Sequence, residues 1–174
     1  MADVLKYGDK IFLQNAWDNW NGGFLDTNNI DRTAAGSKLD VSTAASSGRD
    51  RNSGHWIITS VDGKAPGVEV VAGDAVYLQN MYGGDGGYLD TNGGGSAPQS
   101  KYGVSTSITK DRGAGTGRWR VFAETSSPVD SKVRVGDRVH LLNGWDNWNG
   151  GFLDTNGSGP TESKHGVYTQ CHLA

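Results

Sequence analysis

Apolar side chains come in short segments along this chain, alternating with polar ones and separated by clusters of Gly, Asn, Asp and Ser. In GDKIFLQN, which starts at Gly8, Ile11 and Leu13 alternate with Phe12 and Gln14, the period of two of a half-buried strand. No stretch has a helical period. DRTAAGSK (31–38) comes nearest, and its glycine and short length demote it. The pattern predicts an all-β chain.

The alternating segments recur. GDKIFLQNAWDNWNGGFLDTNN from Gly8 returns as GDAVYLQNMYGGDGGYLDTNGG from Gly73 and as GDRVHLLNGWDNWNGGFLDTNG from Gly136, a repeat of 65 and then 63 residues. The twelve residues WDNWNGGFLDTN are identical at 17–28 and 145–156, which chance does not produce. LDVSTA (39–44) matches YGVSTS (102–107), and SGHWIITS (53–60) matches TGRWRVFA (116–123). Each full unit therefore offers four strands: a GD-led strand, a GG-led strand, a V-S-T strand and a tryptophan strand. The units span about 1–65, 66–130 and 131–174 of one domain. The third is shortened, since Ala174 corresponds to Asp111 and no third tryptophan strand follows. His172 and Leu173 are candidates to begin a shortened substitute. The stretch 124–131 reads as a linker between units.

Three four-stranded units predict an internal pseudo-threefold, met by a β-trefoil or by a β-prism of three sheets. The strand order, with GDKIFLQN followed by GGFLDTN and later HWIITS, resembles β-trefoil repeats of the ricin-B and MIR type. That resemblance implies a six-stranded barrel capped by three hairpins, and the trefoil is the preferred reading. A second resemblance is to the β-prism modules attached to some bacterial pore-forming proteins. The Q-x-W signature of ricin-type lectins is absent, so their sugar-binding residues do not carry over.

Composition agrees with many short strands and turns. Glycine accounts for 27 residues, more than twice the usual ~7% share, and only 35% of residues are hydrophobic. A formal net charge of −3 argues against nucleic acid or an anionic membrane as partner. MADVLKYGDK holds no apolar run, so cytoplasmic synthesis without a signal peptide is expected and membrane insertion is not. Release by a non-standard route would leave no mark. Cys171 is the single cysteine, which excludes an internal disulfide.

The repeats also sort core from loop. Leu13, Leu78 and Leu141, with Leu25, Leu89 and Leu153, stay apolar in every copy and read as core, as do Trp56 and Trp119. The polar loops before the double glycines are different. Trp17, Asp18, Asn19, Trp20 and Asn21 precede Gly22, and Trp145, Asp146, Asn147, Trp148 and Asn149 precede Gly150. Two tryptophans three apart in a turn have no core to enter, and exposed aromatics want a reason. Sugars supply one. A pyranose face stacks on an indole while Asp and Asn bond to its hydroxyls, and paired glycines let a ligand approach the backbone. Unit two has Tyr82, Asp85 and Gly86 in a loop one residue shorter, predicting a weaker site. Asp26, Asn28, Asp90, Asn92, Asp154 and Asn156 belong to a D-T-N motif read mainly as a hairpin turn and secondarily as ligand contacts.

Other chemistry finds no constellation. The Asp/Asn clusters lack EF-hand spacing, His55, His140, His165 and His172 stand singly, and GAGTG (113–117) lacks the Lys of a phosphate loop. No nucleophile motif occurs, and three near-equal loops suit multivalent binding better than one catalytic site. The expectation is a multivalent lectin with glycans or glycoconjugates as partners and no metal or cofactor. A toxin or defence receptor-recognition module is the alternative, followed by a trefoil protease inhibitor acting through 29–38. The open edge of the shortened unit predicts a homodimer or other cover.

Overall fold

A computed structural model describes residues 3–31, 35–96, 99–124, 130–159 and 163–170. Four strands form the first unit: β1 (Lys10–Ile11), β2 (Phe24–Ile30), β3 (Ser37–Ala44) and β4 (Trp56–Ser60). The second holds β5 (Ala75–Asn80), β6 (Gly87–Gly94), β7 (Tyr102–Ser107) and β8 (Trp119–Ala123). The third holds β9 (Val139–Asn143), β10 (Phe152–Ser158) and β11 (His165–Gln170). The expected strands are present, all in one large antiparallel sheet. No helix among the described residues is long and apolar enough to cross a membrane.

Each unit contributes a hairpin in the same register. Leu25 faces Thr43, Leu89 faces Thr106 and Leu153 faces Thr169, and each hairpin slips by one residue just after the D-T-N asparagine, at Asn28, Asn92 and Asn156. The second strands of the hairpins meet one another: Asp40 faces Ser105, Gly103 faces Tyr168 and Gly166 faces Ser42. The other strands run β1–β4–β5–β8–β9, so each tryptophan strand lies between the first strands of two successive units. Among the described residues nothing pairs β9 with β1.

D-T-N does not form the hairpin turn expected of it. All three copies lie inside strands β2, β6 and β10, because their alternation continues to Ile30, Gly94 and Ser158 before the chain reverses. The aspartate of each copy consequently points inward, which removes it from the turn chemistry the sequence suggested.

Trp56, Trp119, Ile58, Leu78, Leu89, Val70 and Val76 form the centre of the core, with Leu25, Leu141 and Val121 around them. Each tryptophan is sealed and donates its indole N–H 3.0 Å to a hairpin carbonyl, Trp56 to Leu25 and Trp119 to Leu89. Burial of each large aromatic is worth roughly 3 kcal/mol. Leu13 and Leu153, expected to match their counterparts, are only half-buried, along with Ile11 and Val139. All four border the opening between β9 and β1.

Candidate functional site

Each loop that carries the candidate residues starts from an asparagine at the end of the unit's first strand. The side-chain Oδ1 of Asn15, Asn80 and Asn143 accepts the backbone N–H two residues on, at Trp17, Tyr82 and Trp145, over 2.9, 3.0 and 3.1 Å. A threonine of the neighbouring unit's D-T-N motif reaches the same oxygen: Thr27 to Asn80 at 3.0 Å, Thr91 to Asn143 at 3.0 Å and Thr155 to Asn15 at 3.2 Å. Thr43, Thr106 and Thr169 hold the far end of each loop through the carbonyls of Gly22, Gly86 and Gly150. These asparagines were not singled out from the sequence, although their recurrence in all three units was the available signal.

Between these anchors the loops of units one and three wind left-handed. In α1, the single turn Trp17–Trp20, Asp18, Asn19 and Trp20 have φ of 51°, 56° and 67°. In α2 (Trp145–Trp148), Asp146, Asn147 and Trp148 have 52°, 56° and 66°. Asp and Asn tolerate this region, whereas a tryptophan there is strained. Hydrogen bonds from Trp20 N–H to the Ala16 carbonyl and from Asn21 N–H to that of Trp17 close the turn at 3.1 and 2.9 Å. Unit two forms a shorter 3₁₀ turn, Tyr82–Gly84, with glycines at the positive-φ positions.

The expected site residues fall into three environments. Asp18, Asn19, Asn21, Asp146, Asn147 and Asn149 are exposed on the loop tips. Asp85 is exposed too, accepting from Gln79 Nε2 and Gly87 N–H beside Lys38. Its partial burial opposes ionisation, but those donors and the lysine outweigh it and hold the carboxyl below its ordinary range. Gly22, Gly86 and Gly150 are buried against the carboxamides of Asn15, Asn80 and Asn143. A side chain there would strike the loop anchor, so these glycines serve packing and do not open the backbone to a ligand.

Asp26 and Asp90, secondarily expected to touch ligand, are completely buried. Arg49 reaches Asp26 at 2.7 Å and also donates to the Thr27 carbonyl. Arg112 does the same with Asp90 at 3.1 Å and Thr91 at 2.9 Å. Both carboxyl groups are sealed from solvent and orient an arginine. Burial raises the Asp90 carboxyl above its ordinary range against the pull of Thr116 and Arg112. Asp154 is half-buried, also raised by burial, and pairs with no basic side chain among the described residues. Asn28 bonds Ser163, Asn92 is buried against Ser105, and Asn156 sits half-buried at the register slip of β10.

The tryptophans are not equivalent. The Trp148 ring is covered by the Arg120 guanidinium, 4.1 Å from its centroid, and Trp20 has Arg138 at 5.4 Å. Trp145 instead forms one wall of a cleft of about 430 Å³ between units two and three, opposite Asn92, Tyr102, Arg112 and Thr116. A matching cleft of about 420 Å³ lies between units one and two, with Tyr82 opposite Asn28, Asn29, Arg49 and Asp50. Trp17, the third member of this set, is 63% exposed among the described residues. The counterpart of the Arg112–Thr116 wall, which in unit two precedes the tryptophan strand, is not among the described residues.

The fold has solved counterparts. No protein-family model matches the sequence, and no curated protein matches it. The structure is similar to the SDF2-like protein from Arabidopsis thaliana, with a TM-score of 0.73 and 18% identity over 99% of this chain and 91% of that one. It is similar to a Caenorhabditis elegans protein of unknown function, with a TM-score of 0.75 and 16% identity over 99% and 92%. A water-soluble chlorophyll protein from Brassica oleracea var. Botrytis, with chlorophyll-b, shares the fold at a TM-score of 0.60 and 12% identity over 95% and 85%. The likeness is to β proteins of these types, and at such identities it concerns fold alone.

Proposed function

We propose that the chain is a β-trefoil that binds glycans multivalently, with sugars seated in the clefts at the two complete unit junctions. The observation that carries this reading is the recurrence of one arrangement in clefts of 430 and 420 Å³. In each, an aromatic ring from one unit faces an arginine and the D-T-N asparagine of the preceding one. Trp145 offers a flat apolar surface for a pyranose face, Tyr82 offers the face opposite Arg51, whose guanidinium lies 5.1 Å from its ring centroid, and the opposite wall offers donors and acceptors for vicinal hydroxyls. Arg112 spends Nε and Nη2 on Asp90 and Thr91, while its Nη1 group bonds no described residue. The three mutually paired hairpins, in one register, support the trefoil reading.

Shallow sites of this kind bind weakly one at a time, and two on one molecule raise avidity by on the order of 10²–10⁴ on clustered glycans. This reading narrows the expected sites to Tyr82 of unit two and Trp145, the first residue of the unit-three WDNWN loop. A glycan array probed with the wild type and with the Tyr82→Ala/Trp145→Ala double variant tests it. Wild type should select a set of clustered glycans, and the double variant should lose them at unchanged melting temperature. A blank array, or a double variant that binds as the wild type does, overturns the proposal.

A further inference from the structure

The two junction clefts share a plan but differ in charge, and the repeat shows where. In the alignment that matches LDVSTA with YGVSTS, Lys38 matches Lys101, Arg49 matches Arg112, Asp50 matches Gly113 and Arg51 matches Ala114. Each arginine of the shared plan, Arg49 or Arg112, is held by a buried aspartate, Asp26 or Asp90. The difference begins one residue later. At the Tyr82 cleft the exposed Asp50 lines the wall with Arg49. Arg51, whose guanidinium is 5.1 Å from the Tyr82 centroid, balances its charge. At the Trp145 cleft Gly113 and Ala114 take those places, and no Asp or Glu is among the described residues that line it.

The lysines beside the clefts follow the same division. Lys38 Nζ donates to the Asp85 carbonyl at 2.6 Å and lies 3.8 Å from the carboxylate of the same residue. Lys101 Nζ reaches the next unit in the same way, donating to the carbonyl of Asn149, a residue without charge. It lies 5.8 Å from the centroid of Tyr102, a ring that lines the Trp145 cleft where the Tyr82 cleft has Leu39. Lys101 pairs with no carboxylate among the described residues. Asp111, next to Arg112 in the chain, is engaged by Arg118 at 2.9 Å and by the N–H groups of Gly113 and Gly115 at 3.1 Å each. Arg112 gives one N–H from Nε to Asp90 and one from Nη2 to Thr91, and its Nη1 group bonds no described residue. The end of the guanidinium that remains has the planar fork of donors that matches a carboxylate.

We propose that the cleft at Trp145 takes an acidic sugar, a pyranose bearing a carboxylate, whereas the cleft at Tyr82 takes a neutral one. This inference rests on the reading of both clefts as glycan sites. The pyranose face stacks on Trp145, and the carboxylate accepts from the remaining donors of Arg112 with the charge of Lys101 beside the cleft. At Tyr82 the same carboxylate meets Asp50, and a like charge in the wall rejects that ligand. The two clefts thus divide acidic from neutral residues of a glycan between them.

A glycan array that sets each uronic-acid glycan beside its neutral hexose counterpart, with a hydroxymethyl group in place of the carboxylate, tests this. Wild type should bind at least one uronate about tenfold more tightly than its neutral partner, and roughly 0.5 M salt should shrink that ratio. Trp145→Ala should abolish the preference. Gly113→Asp gives this cleft the carboxylate that Asp50 gives the other, at a position where an added Cβ meets no atom within 4 Å. It should lose the preference, while Gly113→Asn, of the same shape without the charge, should keep it. Glycan binding with no preference for uronates, or a Gly113→Asp variant that keeps the preference, overturns this inference and leaves the multivalent reading standing. Selection of sulfated glycans with uronates bound no better than hexoses overturns it too. A blank array overturns both.

Discussion

Thr155 Oγ1 donates a 3.2 Å hydrogen bond to Asn15 Oδ1 and so ties the last hairpin to the first loop. The equivalent bonds, Thr27 to Asn80 and Thr91 to Asn143, sit within larger networks. Asn80 Nδ2 also donates to the Ser53 carbonyl at 2.8 Å, and Asn143 Nδ2 to that of Thr116 at 2.8 Å. No described carbonyl takes the amide of Asn15. Asn80→Ala and Asn143→Ala should therefore each cost about 3 kcal/mol by leaving several buried groups unpaired, against about 1 kcal/mol for Asn15→Ala. Denaturant unfolding of the three variants checks the order.

Removing Arg112 leaves a carboxylate that is completely buried. Arg112→Ala should destabilise the protein by roughly 3 kcal/mol, while an Arg112→Ala/Asp90→Asn double variant should recover part of that loss, because the uncompensated charge is gone. A double variant no more stable than the single one would show that the bonds to neutral groups matter more than the charge.

The left-handed loop makes a sharper statement about one residue. At Asn147, with φ of 56°, glycine is unstrained and alanine is not. Asn147→Gly should leave the melting temperature near that of the wild type, and Asn147→Ala should be about 1 kcal/mol less stable than Asn147→Gly. Equal stability of the two would mean that the loop rearranges freely.

Acid should weaken the fold partly through Asp74. Its partial burial works to raise the pKa, but the Tyr7 hydroxyl at 2.6 Å, Lys64 at 2.9 Å and the Val71 N–H outweigh it, and the net direction is downward. A carboxyl whose folded pKa is depressed contributes stability above its unfolded value of about 3.9, and that contribution is lost as pH falls through the folded pKa. Stability of Asp74→Asn followed against pH should fall less steeply below about pH 4 than that of the wild type.

Much of the fold was legible because repetition made the strands self-evident. GDKIFLQN, GGFLDTN, V-S-T and the tryptophan segment each became a strand, and the buried positions of Trp56, Trp119, Leu78 and Leu89 followed from their alternation. Where a strand alone decides a residue's face, period two suffices. The environment of D-T-N was not legible, because turn and strand interior favour the same short polar residues until the hairpin's length is known. Nor could the sequence alone say that the arginine for Asp90 lies 22 residues downstream at Arg112.

The site depended most on tertiary structure. The sequence by itself determined which loops carry aromatic rings, since Trp17, Tyr82 and Trp145 stand at one repeat position. Which of those rings faces a wall was decided only by folding. Each wall belongs to the preceding unit, and a ring becomes part of a cleft where it meets that unit's hairpin and the segment leading to its tryptophan strand. Units one and two supply both and enclose Tyr82 and Trp145. Among the described residues Trp17 stays largely exposed while Trp145, its identical counterpart, lines a cleft. A local motif sets side-chain chemistry, but the apposition of two units, with the desolvation and hydrogen-bonding partners it brings, sets what that chemistry can touch.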